Sequence, residues 1–317
     1  MLHYLIFGAG AVGTLLGGHL ASAGHHVIFI GRKWNISGIR EQGITISGVW
    51  GNRKLSPQPA FESIDDIPRQ ERDFDFIIIT TKAFATREAI ALCEPVVGEA
   101  TLVISCQNGY GNCQAIAERI GWHRTLGARI ITGVELPQPG TVQVTVHGDA
   151  IRLGHHRREY PLTQLQSIAL TMKEAGIPVE PTEQLEEYLW AKILYNAALN
   201  PLGALLGVRY GNLAAREETR KIMDRIIEEA FAVTSAHGIR QFWDSPEAYR
   251  QAFYDQMIPP TAAHYPSMLR DLERKRRTEI DALNGAVVSL GTQKQIPTPI
   301  NDMIVSLIRF RESENAL

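Results

Sequence analysis

The chain has 317 residues, 44% hydrophobic and 21% charged, with a formal net charge of -2. That length suits about two domains with buried cores, and the composition excludes wholesale disorder and a general polyanion binder, so no nucleic acid is expected. Cys93, Cys106 and Cys113 are odd in number and lack metal-like spacing, which argues for reduced thiols in the cytoplasm, with neither a disulfide framework nor a metal site.

The apolar run Tyr4-Leu5-Ile6-Phe7 leads into Gly8-Ala9-Gly10-Ala11-Val12-Gly13 and then into a helical pattern. Gly8 permits the strand-to-helix turn, Gly10 lets a pyrophosphate approach the backbone, and Gly13 lets the helix pack on the strand. The helix N-terminus beyond them faces the anion. A second strand, His26 to Ile30, follows Gly24 and completes a βαβ unit, so the glycines read as a dinucleotide site. No Lys or Arg precedes the first apolar run, which argues against a signal peptide, and no stretch reaches the length of a membrane span.

After the second strand, a carboxylate would select NAD, whereas an arginine accommodates the 2′-phosphate of NADP. The chain has Gly31-Arg32-Lys33 there, which predicts NADP(H), against the blander reading of a solvated basic pair. A short strand at Ile44 to Ser47 and a Gly/Pro-marked excursion through Pro59 come next, then the buried strand Phe74 to Ile79. Lys82 closes that strand, and Asn108 closes the next, Leu102 to Cys106. Ligands of open α/β sheets sit outside the strand carboxyl ends, so both are candidates to meet cofactor and substrate. A solvated terminus for Lys82 and an ordinary Asn-Gly turn for Asn108 are the alternatives.

Helices are expected at Thr86 to Cys93 and Asn112 to Ile120, followed by short strands at Ala128 to Ile131, Val142 to Val146 and Ile151 to Leu153, with His147-Gly148-Asp149 between the last two. A helix over Leu162 to Ala175 and a strand over Val179 to Thr182 complete this half. From Glu183 the 3.6-residue apolar period dominates, predicting helices near 183–206, 213–237, 246–256, 267–290 and 298–309. The fold class is therefore α/β: an N-terminal Rossmann-type doubly wound sheet over residues 1–180 and a C-terminal all-α domain over 181–317, with the boundary at Pro178 to Pro181. Arg274 to Arg277 reads as a solvated helix face.

Within the first helix of the second half, Lys192, Asn196 and Asn200 are spaced i, i+4, i+8 and share one face. Among apolar neighbours they carry a desolvation cost unless something polar meets them. Further on, Ser267 follows Pro266 as a candidate N-cap, with Asp271 on the positive end of the helix dipole. Glu279 flanks the apolar stripe Leu269, Leu272, Ile280, Leu283, Val287, and an i−4 ion pair with Lys275 would be its ordinary explanation.

At these residues the chain resembles the ketopantoate reductases (2-dehydropantoate 2-reductases). The match runs from Gly8 to Gly13 through Arg32, Lys82-Ala83 and Gln107-Asn108-Gly109 to Lys192…Asn196…Asn200-Pro201-Leu202 and Ser267-Met268…Asp271…Thr278-Glu279-Ile280-Asp281…Asn284-Gly285. The resemblance implies a Rossmann domain, a helical domain, and NADPH-dependent reduction of ketopantoate to pantoate in the cleft between them. It implies Lys192 as general acid, Glu279 as the carboxylate that binds the substrate hydroxyl, Asn108, Asn196, Asn200 and Ser267 as groups holding nicotinamide or substrate, and Lys82 as a group beside the cofactor. One departure is visible: some members have another substrate-binding asparagine ten positions after the one matching Asn200, where this chain has Tyr210. Hydride delivery leaves charge on the substrate oxygen, and a lysine can both stabilise that charge and supply the proton. The alternatives are a reductase of another 2-oxo acid or an imine, and a non-catalytic NADP-sensing regulator, which would have no use for Lys192 and Glu279. A small-molecule 2-oxo acid is the expected partner, and the long apolar helices leave room for a homodimer.

Overall fold

The computed structural model describes residues 1–314. It divides into two compact units, Met1–Asn108 with Asn112–Leu185, and Gly109–Gly111 with the chain from Glu186 onward. In order, the first unit runs β1 (His3–Phe7), α1 (Ala11–Ser22), β2 (His26–Ile30), α2 (Lys33–Glu41), β3 (Ile44–Gly48), β4 (Arg53–Leu55), β5 (Ala60–Phe61), β6 (Phe76–Ile79), α3 (Thr86–Cys93), β7 (Leu102–Ser105), α4 (Asn112–Ile120), β8 (Thr125–Gln138), β9 (Thr141–Gly154), α5 (Leu162–Glu174) and β10 (Val179–Thr182).

The parallel strands β5, β2, β1, β6, β7 and β8 are neighbours in that order. This is the 3-2-1-4-5-6 order of a dinucleotide-binding sheet, and its reversal point lies between β1 and β6. Successive strand residues face opposite sides: Tyr4 and Ile6 join one core with Phe29 and Ile78, while Leu5 and Phe7 join another with Ile28 and Ile79. Burial on both faces is why these strands read as unbroken apolar runs.

Beyond β8 the sheet departs from expectation. The short strands predicted over 128–153 are one antiparallel hairpin of two 14-residue strands, β8 and β9. Polar residues in its outer part, such as Glu135 and Gln143, mask the strand pattern because the hairpin is only half-covered there. The gap expected at His147-Gly148-Asp149 is a bulge: Ile131 pairs with Asp149 and Thr132 with His147, which leaves Gly148 without a counterpart. β9 also takes β3 and β10 as parallel neighbours, and β4 closes the edge on β3.

The second unit is helical: α6 (Leu185–Leu206, whose first residue belongs to the sheet unit), α7 (Tyr210–Ala214), α8 (Glu217–Ala236), α9 (Pro246–Ala252), α10 (Ser267–Glu273), α11 (Asn284–Lys294) and α12 (Pro299–Glu314). The expected helix 213–237 is broken after Ala214, and α8 starts afresh with Glu217 and Glu218 on the positive end of its dipole. The expected helix 267–290 is two helices, because Lys275 takes a left-handed conformation (φ 53°) after α10 and the chain resumes only at Ile280 with a short 3-10 turn. Ser267 is therefore not an N-cap: Pro266 holds that place, no side chain caps α10, and its first turn contains no acidic residue. The basic run 274–277 is a turn instead of a solvated helix face. Arg276 reaches Asp271 at 3.2 Å and Arg277 reaches Asp281 at 2.9 Å.

Pro201 lies inside α6. Lacking an N–H, it leaves the carbonyl of Ala197, four residues back, without its helical donor. Nδ2 of the fully buried Asn284 supplies one at 3.1 Å. The same nitrogen donates to Oδ1 of Asn301 at 3.0 Å, and Nδ2 of Asn301 donates to Glu229 at 2.7 Å. Glu229 also accepts the N–H groups of Ile300 and Asn301 at 2.9 Å each, capping α12. A carbonyl buried without a partner costs about 1–3 kcal/mol, so this chain of amides offsets part of the disruption proline brings.

The thiols of Cys93, Cys106 and Cys113 are free and buried. Burial pushes the latter two up to about 12. Among the described residues no helix is long and apolar enough to cross a membrane.

Two carboxyls tie the fold to pH. Partial burial pushes Asp149 and Asp281 up, but hydrogen bonds and charge from Arg129 and Arg152 on one, and from Arg309 and Arg277 on the other, outweigh it and hold both below their ordinary value. Their stabilisation is complete above the unfolded carboxylate value of about 3.9 and is lost as pH falls through the folded values. Urea midpoints should therefore drop on acidification below about pH 4, and Asp281→Asn should make that drop shallower. An unchanged profile in the variant would show that the Asp281 pairs are not coupled to folding.

Candidate active site

At the β1–α1 turn, Gly8 adopts φ 110° and a Cβ there would lie 2.7 Å from the Thr81 nitrogen. The Gly8 and Ala9 N–H groups donate to the Ile30 carbonyl at 2.9 and 2.8 Å, fastening the turn to the end of β2. The Thr80 hydroxyl donates to the Gly8 carbonyl at 2.6 Å. A Cβ on Gly13 would fall 2.4 Å from that carbonyl and 2.5 Å from the Thr80 hydroxyl, so glycine at 13 is what makes room for this bond.

Gly10 differs. Its backbone is extended (φ -86°), and among the described residues a Cβ there would meet only the Gly8 oxygen within 4 Å, at 3.9 Å. The space beside Gly10 is thus open on the protein side. Ala11, Val12 and Gly13 start α1, whose first turn has neither a side-chain cap nor an acidic residue. Free N–H groups, the positive end of a helix dipole and a bare backbone fit a pyrophosphate. Arg32, exposed, occupies the N-cap position of α2 directly after β2, where a guanidinium fits the 2′-phosphate.

Sequence reasoning missed the residue that braces this turn. Asn35, 2% exposed, donates through Nδ2 to the Ala9 carbonyl at 2.7 Å and the Thr14 hydroxyl at 2.9 Å, and accepts the Gly140 N–H at 2.7 Å. It joins the glycine turn, α1 and the β8–β9 turn. A polar residue in the first turn of a helix carries no signal of this kind.

Lys82 and Asn108 follow neighbouring strands, β6 and β7, and are half-buried. Gln107, buried, ties their loops together. Its Nε2 donates to the Thr81 carbonyl at 3.0 Å and the Thr86 hydroxyl at 2.7 Å, and its Oε1 accepts from Ser105 at 3.0 Å. The Thr86 hydroxyl lies 2.7 Å from Oδ1 of Asn112, whose Nδ2 donates to the Asn108 carbonyl at 2.9 Å. Both candidates therefore stand on loops whose shape is set by buried amides and hydroxyls.

In the helical unit, Lys192 and Asn196 are half-buried on α6 and Asn200 is buried, while Ile193, Leu194, Ala197, Ala198 and Leu199 between them enter the core. Ser267 is exposed at the first residue of α10. The preceding Pro266 packs on α6 one turn beyond Asn200, since a Cβ on Gly203 would meet its ring at 2.6 Å. Glu279, 8% exposed, lies in the stretch between α10 and α11, so the i−4 pairing with Lys275 has no helix to support it. Tyr210, at the start of α7, donates its hydroxyl to Oδ1 of Asn200. Among the described residues, no group of three or more His, Cys, Asp or Glu side chains is placed to hold a metal.

Two family models match the chain: "Ketopantoate reductase PanE/ApbA" over residues 4–158 and "Ketopantoate reductase PanE/ApbA C terminal" over 184–312. A 2-dehydropantoate 2-reductase of Aquifex aeolicus is 38% identical over 99% of this chain and 98% of its own. One of Pyrococcus horikoshii is 32% identical over 97% of each. Among solved structures, a PanE/ApbA family ketopantoate reductase of Ralstonia eutropha superposes with a TM-score of 0.87 at 28% identity over 100% of both chains.

The two glycines separate ligand approach from internal packing. Gly10→Ala should leave the melting temperature near that of the wild type and weaken dinucleotide binding at least tenfold (order of magnitude, from lost backbone approach), whereas Gly13→Ala should lower both. Calorimetric melting with fluorescence titration of NADPH checks this, and a large loss of stability in Gly10→Ala would show that its space is not reserved for a ligand.

Proposed function

The chain belongs to the ketopantoate reductase family, and on that premise we propose that it reduces 2-dehydropantoate (ketopantoate) to (R)-pantoate with NADPH, a CH–OH oxidoreductase step of pantothenate and coenzyme A biosynthesis. The observation that carries the reading is the single face of α6 on which Lys192, Asn196 and Asn200 stand while the residues between them fill the core. Cofactor binding is assigned to residues 1–180, through Gly8 to Gly13, Arg32, Lys82 and Asn108, and substrate handling to 181–317.

When bound, the reduced nicotinamide supplies a hydride to the carbonyl carbon. Negative charge then gathers on the carbonyl oxygen, and Lys192 stabilises it with its ammonium and transfers a proton to it. Glu279 accepts a hydrogen bond from the substrate hydroxyl. Asn196, Asn200 and Ser267 offer donors to the substrate carboxylate without adding a second full charge, and Asn108 holds nicotinamide or substrate. The free, buried thiols support a cytoplasmic location. The assembly proposed is a homodimer, which sedimentation tests. A second reading, reduction of another 2-oxo acid, is favoured by Tyr210, which stands where the family resemblance would put a carboxamide in some members.

Steady-state NADPH oxidation with ketopantoate, set against a panel of 2-oxo acids, should give the highest kcat/KM for ketopantoate; a better panel member would name the substrate instead. Arg32→Ala should raise the KM for NADPH and hardly change that for NADH, since only NADPH has the extra phosphate to lose, and equal losses would make Arg32 structural. In single turnover with NADPH prebound, Lys192→Ala should slow hydride transfer by roughly 10² or more, the scale of a positioned acid. Glu279→Ala should mainly raise the ketopantoate KM. Hydride transfer within a few-fold of wild type in Lys192→Ala would remove its assignment as the acid.

A further inference from the structure

Tyr210 is held from several sides. Its side chain is 8% exposed and stands edge-on to Tyr195 with 6.0 Å between ring centroids. Its N–H donates to the His264 carbonyl at 3.1 Å, and that of Gly211 to the Ala262 carbonyl at 2.9 Å. A buried phenol needs an acceptor for its proton, and the one it meets is Oδ1 of Asn200. Burial, with the neighbouring Tyr195 second, pushes the ionisation of Tyr210 well up, so the hydroxyl remains a donor at neutral pH.

A carboxamide has one accepting end and one donating end. With its oxygen turned to Tyr210, Asn200 has its NH2 group on the other side of the amide. That nitrogen is not among the buried side-chain atoms lacking a partner. The Tyr210 bond thus decides which end of Asn200 is available to a ligand.

We propose that Tyr210 is a positioning residue that fixes the Asn200 carboxamide with its NH2 group presented to substrate, so that this position recognises an acceptor oxygen of a 2-oxo acid and discriminates against a group that itself donates. Where a second asparagine would add another amide contact, this chain spends the position on orienting the first. The inference rests on the reading that Asn200 meets the substrate.

The test is a double-mutant cycle between Tyr210→Phe and Asn200→Ala, with wild type as the first arm. If wild type does not reduce ketopantoate, the substrate assignment fails, and the cycle is run with whichever 2-oxo acid of the panel is turned over. Tyr210→Phe should raise the substrate KM about tenfold, the scale of one misdirected hydrogen bond, with kcat within about twofold and NADPH affinity unchanged. The double variant should be no worse than Asn200→Ala alone, because Tyr210 acts through that amide. Asn200→Asp provides a second route: a carboxylate keeps the Tyr210 contact but has no NH2 group, so its KM should rise at least as far as that of Tyr210→Phe. A Tyr210→Phe KM within twofold of wild type, additive losses in the cycle, or an unchanged KM in Asn200→Asp would each overturn the proposal. A lowered melting temperature with unchanged KM would likewise reduce Tyr210 to a packing residue.

Discussion

The bond from Asn284 to the Ala197 carbonyl is the constraint on which the helical unit turns. Proline in a helix interior costs about 3 kcal/mol, chiefly through a lost hydrogen bond and a clash one turn back. Here the lost bond is replaced from outside the helix, at the carbonyl of the residue that follows Asn196. The replacement fixes where α11 crosses α6, and through Asn301 and Glu229 it also fixes the start of α12. The polar face of α6 is therefore held by a network of backbone groups, the amides of Asn284 and Asn301, and the Glu229 carboxylate. Asn284 stands in the block that resembles the family, and its Nδ2 serves the fold there, while its Oδ1 is buried without a partner among the described residues.

The glycine turn follows the same logic with steric exclusion in place of an added donor. Gly13 is needed because the Thr80 hydroxyl and the Gly8 carbonyl occupy the volume a methyl would take, whereas Gly10 opens onto space the protein does not fill. One motif thus contains two kinds of glycine, one closed in by its neighbours and one left open. Thr80 lies 72 residues from Gly8, so the motif alone shows the spacing but not the partner that demands it.

Much of this was legible beforehand. The buried parallel strands and the α6 face are written in local periodicity, and the family resemblance brought in Lys192, Glu279 and the asparagines around them. What escaped the reading depends on pairings between distant residues. Asn35 looks like an ordinary polar residue, and Gln107 like a mere neighbour of Asn108, until partners 21 or more residues away are brought beside them. The β8–β9 hairpin was underestimated because its outer half carries polar side chains and bulges, which break the period of two. The helix expected through 267–290 failed for a different reason: the apolar spacing continues across the break, since Leu272, Ile280, Leu283 and Val287 all reach the same core, but the chain gets from one to the next through a left-handed residue at Lys275.

The Asn35 brace also has a consequence for the order in which the protein can take shape. Its side-chain oxygen is satisfied by Gly140, 105 residues later. Such a contact closes a long loop, and contacts of large sequence separation form late and slow a chain's folding. The strand and helix flanking the glycines can pair once they are made, yet the Asn35 side-chain oxygen is left without its partner until the hairpin tip has been made. The glycine turn, though encoded within the first few dozen residues, thus has its brace completed only by a residue far along the chain.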